Sequence, residues 1–231
     1  MPKKMYKLLG HRLPGKYFVF EGIGGCGKSI QAKLLHEFLK ERYPDREIVY
    51  THEPGGTEKS EQVRDVIISH SRSGEGLVPY SEAFLLAASR CQAIAVVLRP
   101  ALERGAIVVS ERSFFSSLAY QGFARGLGWK DIWRINQIAV AGVCPDVVFY
   151  LDVAPEVGRE RKSKRKKRDC VHDYQDLEYF HRVRKGYLFI SKMIGRGFEK
   201  IDGSLPLEKI AKIIEKKAIA SIEKPVSNQK W

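Results

Sequence analysis

Eight consecutive residues, Gly22-Ile23-Gly24-Gly25-Cys26-Gly27-Lys28-Ser29, fit the pattern G-x-x-x-x-G-K-[ST]. Glycines let successive backbone N–H groups turn inward around an anion. A helix starting at Lys28 adds the positive end of its dipole. Lys28 is then expected to reach the β- and γ-phosphates of a nucleoside triphosphate, and the Ser29 hydroxyl to ligate Mg2+. The pattern does not name a reaction, because kinases, GTPases, transporters and motors all use it.

Further polar groups follow at the ends of apolar runs. They are Glu53-Pro54-Gly55-Gly56-Thr57 with Arg64 beyond it, Arg90 in the segment AASRCQ, and Ser110-Glu111-Arg112 leading into SSLAYQG with Ser117, Tyr120 and Gln121. The elements that must carry them alternate. Strands are expected at 17–20, 47–50, 106–109, 147–151 and 198–201. Helices are expected at 29–42, from Thr57 to about 69, from a cap at Ser81 to about Arg99-Pro100, from Pro155, and over 207–222. Trp129 and Trp133, four apart, suggest one more helix, at a core or subunit contact. Strands separated by helices predict a three-layer α/β/α fold on a five-stranded parallel sheet. In such a sheet ligands bind outside the C-terminal strand ends, where all these groups fall. One phosphate-loop domain over 17–223 is expected, with a basic arm at 1–16 and a tail at 224–231.

Composition narrows the class. The 231 residues are 44% apolar and 29% charged, which excludes a disordered or collagen-like chain. A net charge of +13 raises two readings, a nucleic-acid binder or a pocket for a phosphate-rich small molecule. Residues 1–16 carry five basic groups and no acid, and RERKSKRKKR at 159–168 carries eight basic residues and one Glu. The rest of the chain is nearly neutral, and no aromatic residue interleaves the basic run, as stacking on single strands requires. No stable nucleic-acid partner is expected. The four cysteines have long irregular gaps that suggest neither disulfides nor a zinc site. The start has no apolar signal core, and clean apolar runs stop far short of 18 residues. A cytoplasmic protein without a membrane partner is the expectation.

Together, the phosphate loop, EPGGT, the acid-Arg pair and AYQG resemble the thymidylate kinase family, over residues 17 to about 203. The resemblance implies transfer of the γ-phosphoryl of ATP to dTMP with Mg2+, giving dTDP for dTTP synthesis, commonly in a homodimer. It implies that Arg112 bridges donor and acceptor phosphates, that Arg64 holds the acceptor phosphate, that Arg90 meets the pyrimidine edge, and that Tyr120 lies beneath the deoxyribose. A basic lid, here about 159–174, closes on the phosphates, with Arg161, Arg165 and Arg168 as candidates for a catalytic arginine. Gly25 stands where one branch of the family carries its own catalytic arginine, so this chain resembles the branch that uses the lid.

The chemistry agrees with the residue types. A phosphate monoester has a second pKa near about 6 and is already ionised at neutral pH, so the attacking oxygen needs no general base. The task is to hold two polyphosphates together and spread the transition-state charge, which calls for lysine, Mg2+ and guanidinium forks.

Bland alternatives stay open: Arg90 as an ion-pair residue, Tyr120 as packing, Glu53 as a loop organiser or a water-mediated metal ligand. The chain departs from the family at Gly24 (usually an acid), Glu111 (usually Asp), Ser113 (usually aromatic), Leu86 (usually aromatic, with Phe84 two places earlier) and Cys170-Val171 (near an Asp-Arg). These bear on the acceptor and metal sites. Another nucleoside-monophosphate acceptor, or a nucleotide-binding regulator with weak catalysis, are the competing readings.

Overall fold

A computed structural model describes residues 8–69, 76–163 and 175–223. The elements run β1 (Lys16–Glu21), α1 (Lys28–Arg42), β2 (Ile48–His52), α2 (Glu58–Ser69), α3 (Pro79–Ala93), α4 (Arg99–Glu103), β3 (Ile107–Glu111), α5 (Phe114–Ser117), α6 (Trp129–Val140), β4 (Val147–Asp152), α7 (Pro155–Ser163), α8 (Leu177–Ile194), β5 (Phe198–Asp202) and α9 (Leu207–Ile222). Two π-helical turns, Ile94–Leu98 and Leu118–Ala124, lie after α3 and α5.

The five strands form one parallel sheet in the order β2-β3-β1-β4-β5. Tyr17, Phe18, Val19 and Phe20 of the central strand are buried, as are Ile107, Val108 and Val109 of β3 and Val148, Phe149, Tyr150 and Leu151 of β4. Strands covered on both faces read as unbroken apolar runs rather than alternating ones, which is why these segments were legible. The connection from β1 passes β3 to reach β2 and the connection from β3 passes β1 to reach β4, so these neighbours lead in opposite directions and a crevice opens beyond their C-terminal ends.

Two expected boundaries move. The third helix starts at Pro79 after Val78, not at Ser81; proline suits a first turn, whose N–H groups lack intrahelical partners. It also runs past Pro100 to Glu103. The π turn at Ile94–Leu98 ends two residues before that proline, and a widened turn relieves the clash of the ring with the carbonyl four residues back. The resulting 25-residue rod, Pro79–Glu103, is long and apolar enough by length and composition to cross a membrane. Here Glu82 and Arg90 on that rod are both buried in ion pairs within the fold. The sequence expectation rested on clean apolar runs and did not reach it.

The described part of the N-terminal arm is docked. Leu8 is buried, Gly10 N–H donates to the Pro145 carbonyl at 2.7 Å, and His11 lies 3.2 Å from Asp146. Asp146 also accepts from the Tyr17 N–H at 2.8 Å, which ties the arm to the start of β1. The tail at 224–231 lies outside the described residues.

Candidate active site

The phosphate loop leaves β1 at Glu21 and enters α1 through Gly27, whose φ of 93° is a left-handed conformation that favours glycine. No side chain caps the N-terminus of α1, so its first-turn N–H groups face the loop as an anion site. Lys28 is nearly buried and folds back over the loop, its Nζ 3.5 Å from the Ile23 carbonyl. The loop meets α7 backbone to backbone. A Cβ on Gly25 would strike the Gly158 carbonyl, and one on Gly158 would lie 2.6 Å from the Gly24 carbonyl. A side chain such as arginine at position 25 has no room in this arrangement. The Cys26 side chain is buried in the core, so that residue offers only its backbone to a ligand.

Ser29 Oγ donates to one oxygen of Glu111, and the Tyr50 hydroxyl donates to the other. Burial and the facing carboxylate both push the Tyr50 phenol up, so it remains a donor. A hydroxyl and a carboxylate in contact beside a phosphate loop fit Mg2+. That ion is held by one or two protein oxygens and completed by phosphates and water rather than by an all-protein cage.

Arg112 has a φ of 71°. Such a backbone persists in a non-glycine residue only when its surroundings enforce it. Here its N–H donates to the Phe20 carbonyl at 2.9 Å, and its guanidinium donates to Ser116 Oγ at 2.9 Å and lies 5.2 Å over the Tyr120 ring. Ser116 in turn donates to Glu21 at 2.6 Å. Glu21 is wholly buried and also accepts from the Ser113 N–H (2.8 Å), the Ser113 hydroxyl (3.0 Å) and the Tyr187 hydroxyl (2.8 Å). This carboxylate binds β1, the turn after β3 and α8 into one frame behind Arg112. Ser113, where an aromatic residue was the norm, serves this hub.

On the acceptor side, Arg90 is buried and three of its nitrogens are engaged, with Glu53 at 2.7 Å, with Asn136, and with Ser117 at 3.3 Å. Burial pushes the Glu53 carboxyl up, and the Arg90 guanidinium pulls against that rise. Glu53 thus acts as the anchor of Arg90. Arg64 donates to the Pro54 carbonyl at 3.0 Å, holding the EPGGT loop against α2. Gly55 packs its α-carbon against His52 and Glu61, behind the loop. Leu86 lines the cavity, while Phe84 is 58% exposed on the outside of α3.

These groups surround a cavity of about 1010 Å³. Its walls include Ile23, Gly24, Gly25, Lys28, Ser29, Glu53, Pro54, Arg64, Leu86, Arg90, Glu111, Arg112, Ser117, Tyr120 and Gln121. Among the described residues seven lysines and arginines line it against three carboxylates, a balance that suits more than one phosphate group. Arg159 and Lys162 reach it from α7; the Lys162 stem lies directly against the α-carbon of Gly24. Arg161 points elsewhere, donating to the Gly203 carbonyl at 3.0 Å. Arg165 and Arg168 lie outside the described residues, as does Cys170-Val171.

Sequence reading missed Glu21, Tyr50, Glu82, Asn136 and Tyr187. For Glu21 a signal existed: an acid ending an unbroken apolar strand must be paired or hydrogen-bonded. The others depend on contacts between distant elements.

A phosphate loop at the switch point of a 2-3-1-4-5 parallel sheet, beside an arginine-lined cavity of about 1010 Å³, defines a P-loop phosphotransferase. The family described as thymidylate kinase matches residues 20–214. Thymidylate kinase of Thermoanaerobacter sp. (strain X514) is 40% identical over 204 residues, spanning 87% of this chain and 96% of its own. That of Pelotomaculum thermopropionicum is 41% identical over 192 residues, spanning 83% and 87%. The crystal structure of thymidylate kinase from Ehrlichia chaffeensis superposes with a TM-score of 0.73 at 29% identity, covering 89% of this chain and 98% of that one. The chain belongs to the thymidylate kinase family of ATP-dependent nucleoside-monophosphate kinases.

Proposed function

We propose that this chain transfers the γ-phosphoryl group of ATP to dTMP, with Mg2+ bound by Ser29 and Glu111. The observation that carries the reading is the shared cavity, in which the phosphate loop faces Arg64, Arg90 and Arg112 across a single space. The loop amides and Lys28 hold the donor phosphates. Arg64 holds the acceptor phosphate, and Arg112 bridges the two, neutralising charge as the phosphoryl group passes. Bound Mg2+ would bring the donor phosphates into register and withdraw charge from them. Leu86 and Arg90 face the base, and Tyr120 closes the sugar side. Arg159 and Lys162 of α7, with the lid arginines Arg165 and Arg168, complete the charge around the transferred group, while Arg161 is turned away to the Gly203 carbonyl.

A homodimer belongs to the same reading. Val66 of α2, Phe84 of α3 and Ile138 of α6 expose apolar side chains on three helices that pack side by side, and exposed apolar patches mark association surfaces. So does a cytoplasmic location. The test is a coupled ADP-release assay against dTMP, dUMP, UMP, CMP and AMP. The expected result is a kcat/KM for dTMP well above the others. Equal rates on all five would refute dTMP as the acceptor while leaving a nucleoside-monophosphate kinase.

A further inference from the structure

Glu82 lies on α3 one turn before Leu86 and two turns before Arg90, so all three face the same cavity. It is wholly buried, and no phosphate or metal role accounts for it. Its carboxylate pairs with Arg125 and accepts from Gln121 Nε2 at 2.5 Å. Gln121 and Arg125 are four residues apart, at and just after the π turn Leu118–Ala124, so both reach Glu82 from one side.

The polarity of the Gln121 amide follows from this contact. A carboxylate only accepts hydrogen bonds, so it faces the NH2 end of the amide and turns the carbonyl end away. That carbonyl oxygen, Oε1, is buried without a hydrogen-bond partner, and Gln121 is 1% exposed while lining the cavity. A buried acceptor left unpaired is costly, and a ligand that donates to it recovers that cost. Arg90 stands on the same wall. A guanidinium has five N–H groups, and three hydrogen bonds hold Arg90 to protein partners, which leaves donors for the cavity. The wall therefore offers an acceptor beside a donor. Thymine and uracil complement it, with an imino N–H beside a carbonyl oxygen. Cytosine presents a bare ring nitrogen beside an amine and meets it with both polarities reversed.

We propose that Glu82, held by Arg125, is a positioning residue that locks the Gln121 amide with its carbonyl toward the acceptor base, so that the site selects imino N–H pyrimidines over cytosine. The inference rests on the reading of this cavity as the dTMP site. It accounts for selectivity in a chain whose Leu86 cannot stack as an aromatic ring would.

The test compares kcat/KM for dTMP, dUMP and dCMP in the wild-type chain, in Glu82→Gln, and in the charge-balanced Glu82→Gln/Arg125→Gln. A glutamine at 82 can donate or accept, so the Gln121 amide is free to flip. The expected result is a dTMP:dCMP ratio that falls by about tenfold or more. The dTMP:dUMP ratio and the KM for ATP should stay unchanged, because those two bases share the edge and the donor site is remote. If either variant folds, as judged by circular dichroism and the KM for ATP, and keeps the wild-type dTMP:dCMP ratio, the lock is refuted. A wild-type chain that does not favour dTMP over dCMP would instead overturn the acceptor reading itself.

Discussion

Arg112 is the side chain on which the proposed chemistry turns. Its left-handed backbone, its bond to Ser116 and the Glu21 hub behind Ser116 hold the guanidinium over Tyr120. A group so fixed spends little entropy on the transition state and acts mainly there. Arg112→Ala is therefore expected to lower kcat by about 1,000-fold, in the range of lost arginine contacts in phosphoryl transfer, with only a small change in ATP affinity. Wild-type-like kcat in steady-state assays would refute the bridging role. At this scale the sequence pointed to groups that line the cavity and hid their supports. Arg64, Arg90 and Arg112 stood out because they lie in or beside the EPGGT, AASRCQ and Ser110-Glu111-Arg112 segments, on α2, on α3 and just after β3. Tyr50 and Asn136 did not, because a tyrosine in a strand and an asparagine in a helix have many ordinary uses.

The elements were mostly legible where the apolar period was continuous. The five strands and the helices around α1, α2 and α9 match their expected ranges within a few residues, because buried runs bounded by turn residues admit one reading. No element was assigned between the lid and β5, yet α8 occupies Leu177–Ile194. Its buried face, Tyr179, Val183, Tyr187 and Ile190, has helical spacing, but two of the four are tyrosines, and the hydroxyl of Tyr187 serves the Glu21 hub. The Asp152–Arg184 pair ties α8 to β4 at 2.7 Å. Burial alone would raise the Asp152 carboxyl, but hydrogen bonds from Arg184 and Tyr150 outweigh it and hold it below its ordinary 3.8. A lowered folded value gives stability that is present above the unfolded value and is lost as pH falls through the folded one. Asp152→Asn should therefore lower Tm at pH 6, and the gap to wild type should close as pH drops below about 3.8. A gap independent of pH would contradict this. At the lid, neutralising Arg165 and Arg168 together should abolish turnover and leave ATP affinity mostly intact, whereas Arg161, bonded to the Gly203 carbonyl, should be dispensable for turnover. Surviving turnover would remove the lid from the catalytic set and leave Arg159 and Lys162 as the α7 cations at the cavity.

For the whole molecule, the excess charge acquires a location. Part of the basic arm is docked on the fold through Leu8, Gly10 and His11. The cations that line the cavity are spread over α1, α2, α3, α7 and the turn after β3, and converge only once the chain is folded. A count of charges shows an excess but not this convergence, so the sum alone left nucleic acid and mononucleotide phosphates undivided. The motif order favours mononucleotide phosphates, and the cavity of about 1010 Å³ beside the phosphate loop is where these cations meet. The central claim is that this cavity joins one donor and one acceptor for direct phosphoryl transfer. It is tested most directly by incubating the protein and Mg2+ with γ-labelled ATP and dTMP and separating the products. The account expects label in dTDP, dependent on dTMP and abolished by Lys28→Ala. Label released only as inorganic phosphate, or unchanged in Lys28→Ala, would contradict it.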